Sequence, residues 1–210
     1  MWAGEGEILK TLRFPEEVGK CHGTPLIFFD TNAIIDNEGL VRYVFDARIS
    51  ARSDILGVIC DFIEGEARNL NKGIDILEEI KNPTATEFAG IYFKTKYNTY
   101  EESRRSLEDM PTPEIAEAVR VEYDKVLGPA SSPNAKETTK HARSNFGDYS
   151  LLTVAAISAY RRKRKSIIVT RDRWIKSACS SLQSQFHLTI SSQDQFDFSM
   201  KSITDRVDVS

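Results

Sequence analysis

The strongest constraint on the fold is the run Pro25-Leu26-Ile27-Phe28-Phe29, which water cannot satisfy on either side. Four apolar residues behind a proline, without polar alternation, fit a strand buried on both faces, as in a parallel sheet. Asp30 follows directly, with Thr31 and Asn32 behind it. Ligands of open parallel sheets bind beyond the carboxyl ends of the strands, so Asp30 is expected at the functional rim. Alone, such an aspartate reads as a strand-end cap.

The same pattern recurs along the chain. Ile55–Cys60 is a second short apolar run, read as a buried strand, with a continuous helix from Ser53 as the alternative. Ser166–Thr170 is a third, with Asp172 after it, and Phe186–Ile190 closes the series. Between them lie helical periods. Leu40, Val44 and Ala47 fall three or four apart, and Trp174, Ile175 and Ala178 start a later helix. Asp61 is expected to cap a helix carrying Phe62, Ile63, Glu66 and Leu70. Glu66 then falls on the apolar stripe and Glu64 off it. A nearly all-apolar helix opens at Asp148 and closes on the basic run Arg161–Lys165, which suits the negative end of its dipole. Alternating strands and helices predict an α/β fold in three layers, a central parallel sheet with helices on both faces.

Organisation follows from composition shifts. Residues 1–24 read as a lead segment, a short helix and loop with Ile8, Leu9, Leu12 and Phe14 as a flap. Residues 25–195 form one domain and 196–210 a polar tail. Within the domain, about 71–141 turns polar and helical and is expected to be a helical insertion. It holds a helix at Ile74–Ile80, an aromatic and lysine-rich stretch from Phe88 to Tyr100, a helix at Glu114–Leu127 and a loop at Gly128–Asn134. Tyr92, Phe93, Tyr97 and Tyr100 beside lysines could stack bases, although helical spacing favours a core role.

With 210 residues, 40% of them hydrophobic, the chain can bury a core. No apolar run is long enough for a membrane span, and the acidic start lacks a signal-peptide pattern. Three widely spaced cysteines read as reduced structural thiols, which points to the cytoplasm and away from a structural zinc. A net charge of -3 does not advertise nucleic-acid binding by the whole surface, but says nothing of local patches.

The acids carry the chemistry. Asp30 and Asp172 follow strands, Asp148 starts a helix that can face the same edge, and Glu66 leans in from a buried stripe. Four carboxylates converging without fixed positive partners repel, and a divalent cation resolves the conflict. All-oxygen ligands suit Mg²⁺ or Mn²⁺. Paired ions ~3.5–4 Å apart can activate water and stabilise the leaving oxygen of a phosphodiester.

At these residues the chain resembles the PIN-domain ribonucleases. Ile27–Ile35, with Asp30-Thr31-Asn32 inside it, is similar to that family's opening motif, and Phe62-Ile63-Glu64-Gly65-Glu66-Ala67 to its acidic helix. Gly147-Asp148-Tyr149-Ser150-Leu151-Leu152 is similar to the third motif. Val169-Thr170-Arg171-Asp172 is similar to the threonine-x-aspartate motif after the fourth strand. The likeness covers about residues 25–70 and 145–191. It implies a cytoplasmic endoribonuclease with Mg²⁺ or Mn²⁺ held by Asp30, Glu66, Asp148 and Asp172, and Asn32 and Thr170 orienting carboxylates or water. RNA is the implied substrate. A protein inhibitor such as an antitoxin and a homodimer are the partners this family suggests, and no membrane is involved. The stretch 71–141 is longer than compact toxin members carry.

Two rivals come from other classes. A haloacid-dehalogenase-like phosphatase also places an aspartate after its first strand, but needs a second one where this chain has Asn32. A catalytically silent RNA- or protein-binding module of the same fold is the other. Blander readings accompany each residue: Asp148 as a plain N-cap, Asp172 as a turn residue, the basic run as a solvated helix end. Arg171 and Arg173, flanking Asp172, could meet phosphates. His22, His141 and His187 form no visible pair.

Overall fold

The structure, a computed structural model, describes residues 8–9, 25–82, 87–93, 118–119, 121–122, 125, 146–162 and 165–198. Strands β1 (Ile8–Leu9), β2 (Leu26–Phe29), β3 (Leu56–Cys60), β4 (Gly90–Phe93), β5 (Ser166–Val169) and β6 (Ile190–Gln193) form one sheet in the order β1-β4-β3-β2-β5-β6. Five of them, β4 to β6 in that order, are parallel. β1 pairs antiparallel with β4 at the edge. Every residue of β2, β3 and β5 is buried, as strands covered on both faces must be.

The described helices are α1 (Thr31–Asp36), α2 (Glu38–Phe45), α3 (Ala47–Ser53), α4 (Asp61–Asn69), α5 (Ile74–Lys81), α6 (Phe146–Arg162) and α7 (Arg173–Phe186). The crossovers β2→β3 and β3→β4 step one way along the sheet, and β5→β6 steps the other. With the right-handed connection that twisted strands impose, α1–α5 and α7 fall on opposite faces. Strand direction of travel therefore reverses between β2 and β5. That reversal opens a crevice beyond their carboxyl ends. Residues 29 and 169 are register partners, so the residues that follow, Asp30 and Thr170, meet at that crevice.

Several expectations need correction. Gly90–Phe93 is a strand of the central sheet and α5 a crossover helix, so the helical insertion expected from about 71 does not begin there. A short Gly-Ile-Tyr-Phe run leading into lysines carried too little periodicity to show this. Residues 94–117 and 126–145 lie outside the described set, as do Tyr97, Tyr100, His141 and most of the 1–24 segment; Ile8–Leu9 is strand. Asp61 is the first residue of α4 and does not cap it, since Cys60 holds that place. The last strand starts at Ile190, because Phe186 ends α7 and His187 takes a left-handed C-cap. The expected polar tail is described to residue 198, and Phe198 packs against the core. Cys60 and Cys179 are buried free thiols, and burial pushes the Cys179 thiol up to about 12, which keeps it unreactive. Cys21 lies outside the described residues. No helix among them is long and apolar enough to cross a membrane.

Phe45 fixes how α2 seats on the sheet. Its ring covers Gly57 and Gly90, register partners on β3 and β4, and a Cβ at Gly57 would come within 2.6 Å of it. The two glycines leave the hollow that the ring fills. In chemical denaturation, Gly57→Ala should lower stability by about 1–3 kcal/mol through overpacking, and Phe45→Ala by about 3–5 kcal/mol through the cavity left behind.

Candidate functional site

The site begins where β2 stops. Asp30 is the N-cap of α1, and its Oδ1 accepts from Thr31 N at 2.7 Å. Its Oδ2 accepts from Thr170 Oγ1 at 2.6 Å and from Asn32 Nδ2. Thr170 follows β5 and lies fully buried. Its hydroxyl donates to Asp30 and accepts from Asp172 N at 2.8 Å. Asp172 is the N-cap of α7, its Oδ1 taking Trp174 N at 2.6 Å and Ile175 N at 3.1 Å. Asn32 closes the crevice, because its Oδ1 accepts from Arg171 N at 3.0 Å. Asp30, Asn32, Thr170 and Asp172 thus form one hydrogen-bonded unit across the two central strands.

Glu66 joins from α4. Its Oε2 accepts from Thr31 Oγ1 at 2.5 Å, which ties it to the residue beside Asp30. Gly147, in the first turn of α6, abuts the same carboxylate: a Cβ there would lie 2.7 Å from Glu66 Cδ. Asp148 is the third residue of α6, half-buried and inside the helix, so it is not the N-cap; a first-turn carboxylate suits the positive end of the helix dipole. The expectation for α4 is corrected in phase. Glu64 is more buried than Glu66, 5% exposed, and is neutralised by Lys81 at 2.7 Å and Arg68 at 2.8 Å. Glu66 is only half-buried, and it faces the crevice side through Thr31. The helix is short enough that the apolar stripe runs through Ile63, Glu64 and Ala67.

Charge has accumulated here. Burial is the main cause that pushes the Asp30 carboxyl up to about 6, helped by the negative charges of Glu66 and Asp172 and opposed by donation from Thr170 and Thr31. Burial also raises Glu66, against the Thr31 hydrogen bond. None of these influences is a cation. Hard oxygen donors under mutual repulsion fit a divalent ion in their chemistry. They are not gathered into a grip: among the described residues, no three of His, Cys, Asp and Glu form a ready-made ligand set. Asp30 spends its oxygens on Thr31, Thr170 and Asn32, and Asp172 spends Oδ1 on its helix.

No family model matches the chain, nor does any curated protein or solved structure. The geometry brings together five of the six residues singled out in the sequence and seats the sixth, Asp148, next to the glycine that abuts Glu66. Thr31 and Gly147 had no role assigned to them. Thr31 was legible as a buried hydroxyl beside a buried acid; the space at Gly147 was not, since it depends on how α6 crosses α4. Tyr92 and Phe93 belong to β4.

A pH dependence follows from Asp30. Its pKa is higher folded, about 6, than the ordinary carboxyl value of 3.8, so the folded state holds the proton more tightly between those values. Its contribution is fully present below about pH 4 and is lost as pH rises through 6, about 3 kcal/mol in all. In urea unfolding without divalent cations, the stability difference between wild type and Asp30→Asn should therefore shift by about that amount, towards the variant, between pH 4 and 7.

Proposed function

We propose that the chain is a metal-dependent endoribonuclease of the PIN type, hydrolysing RNA phosphodiester bonds at the crevice between β2 and β5. The observation that carries this reading is the pairing of Asp30 and Asp172 at the carboxyl ends of the two strands that flank the topological reversal, with one hydroxyl, that of Thr170, joining them. The motif likeness over residues 25–70 and 145–191 supports the same conclusion. Asp30, Glu66, Asp148 and Asp172 would hold Mg²⁺ or Mn²⁺. When bound, a divalent ion supplies Lewis acidity toward water and phosphodiester oxygens.

The remaining roles belong to the protein. Thr170 and Asn32 donate to Asp30 and favour its ionised form, which a cation ligand requires. Thr31 and Gly147 fix where the Glu66 carboxylate stands, one by a hydrogen bond and the other by leaving room for it. Glu64 is withdrawn from the chemistry by its two basic partners.

A silent binding module of the same architecture is the second reading. What favours it is that the acids do not stand as a closed ligand set. End-labelled single-stranded RNA and DNA, incubated with the purified chain in Mg²⁺, Mn²⁺ or EDTA, separate the two. Metal-dependent cutting that vanishes in a folded Asp148→Asn variant supports the nuclease; cutting that persists in that variant points to a contaminant or a misplaced site. Binding without turnover on any strand would favour the module. Gly147→Ala gives a finer test: by displacing the Glu66 carboxylate it should slow cleavage roughly 10–100-fold, as loss of an orienting neighbour does. The thermal midpoint should stay nearly unchanged, because the displaced atoms end a flexible side chain.

A further inference from the structure

Beside the crevice, Phe196 stands 64% exposed, with the Arg171 guanidinium carbon 5.3 Å from its ring centroid. A single exposed phenylalanine is ordinary. This one is held in place. Gln195, its chain neighbour, is 2% exposed, and Gln195 O accepts from Asn37 Nδ2 at 2.9 Å. Asp194 accepts from Phe196 N at 3.1 Å and from Lys176 Nζ at 2.6 Å. The loop is thus pinned at the two residues before the ring and at the Phe196 N–H, and with Gln195 turned inward the ring is displayed outward.

The ring is also tied to the candidate site. Arg171, whose side chain caps it, donates its backbone N–H to Asn32, and Asn32 donates to Asp30. The Arg171 guanidinium is paired with Asp36 at 2.9 Å, so its main part is to buttress the ring. On the other flank of Asp172, Arg173 is exposed and lies over the Trp174 ring at 4.1 Å. That leaves an exposed aromatic ring and an exposed cation, each carried by a residue next to or in contact with a neighbour of Asp172.

We propose that Phe196 is a stacking platform for an unpaired base of a single-stranded polynucleotide lying across the β2–β5 crevice. This rests on the nuclease reading for the strand being RNA, but the platform itself requires only a strand with free bases. Aromatic stacking reads any base and needs it unpaired, so the occupant is single-stranded. Arg173 meets the backbone of the same strand, where its charge is complementary to phosphate.

The test is fluorescence anisotropy with labelled 12-nucleotide oligoadenylate RNA, its DNA counterpart and an RNA duplex, in Mg²⁺. The full chain carries Asp148→Asn so that the probe is not cut. Phe196→Ala should weaken binding of the single strands roughly tenfold or more, Phe196→Trp should retain it, and duplex binding should be weaker and indifferent to both changes. Melting curves of the Phe196 variants, expected to match the parent, separate lost contact from lost fold. Equal loss on RNA and DNA, or loss on RNA alone, both support the platform and assign its strand. Unchanged affinity in Phe196→Ala, equal loss on duplex, or no binding of any single strand by the parent overturns it. Phe196-dependent binding without cleavage by the Asp148 parent chain would sink the nuclease reading and leave the platform, whereas cleavage indifferent to Phe196 would do the reverse.

Discussion

A carboxylate taken out of water is either held by donors or driven to its neutral form, and Asp30 is where this chain meets that choice. The donors come from two places far apart in the sequence. Thr31 and Asn32 are local, supplied by the turn into α1. Thr170 is remote, delivered by β5. Its single hydroxyl gives its proton to Asp30 and takes one from the Asp172 backbone, so the two acids are fixed relative to each other by one atom. Replacing that threonine with valine would keep the volume and lose both bonds, which shows how little of the arrangement is due to packing alone.

Around this unit the architecture is a consequence of burial on both faces. β2, β3 and β5 are apolar throughout because helices cover each side of them, and the direction of strand addition has to reverse somewhere for six strands to be laid down in this order. The reversal falls beside β2. Asp30 and Asp172 lie there because they follow β2 and β5 at the strands' carboxyl ends, and each satisfies its helix by capping it. For each aspartate, capping its helix and joining the hydrogen-bonded unit are the same geometric act, so the structural role does not exclude a functional one.

Much of this was legible in the residues. Continuous apolar runs mark β2 and β5, and β3 with a continuous helix as the alternative, and the acids that follow β2 and β5 sit where parallel-sheet geometry puts them. What stayed hidden depended on helix phase and on contacts between distant segments. α4 is nine residues long, and one residue of phase decides whether Glu64 or Glu66 turns inward; Lys81, on another helix, settles it by pairing with Glu64. β4 is four residues long and runs into the lysine-rich stretch that starts at Lys94, so no periodicity could mark it. Phe196 sits in a stretch that reads as tail, and only the inward turn of Gln195 reveals its exposure as arranged.

Asp30 and Thr170 are 140 residues apart. A loop of that size closes slowly, and little of the acidic unit exists until it has closed. On a ribosome, β2 emerges long before β5, and through that interval Asp30 has no hydroxyl from Thr170 and no Asp172 beside it. The acidic unit is therefore absent from the nascent chain until β5 arrives. The last central strand to arrive is also the one that completes the hydrogen-bonded acidic unit.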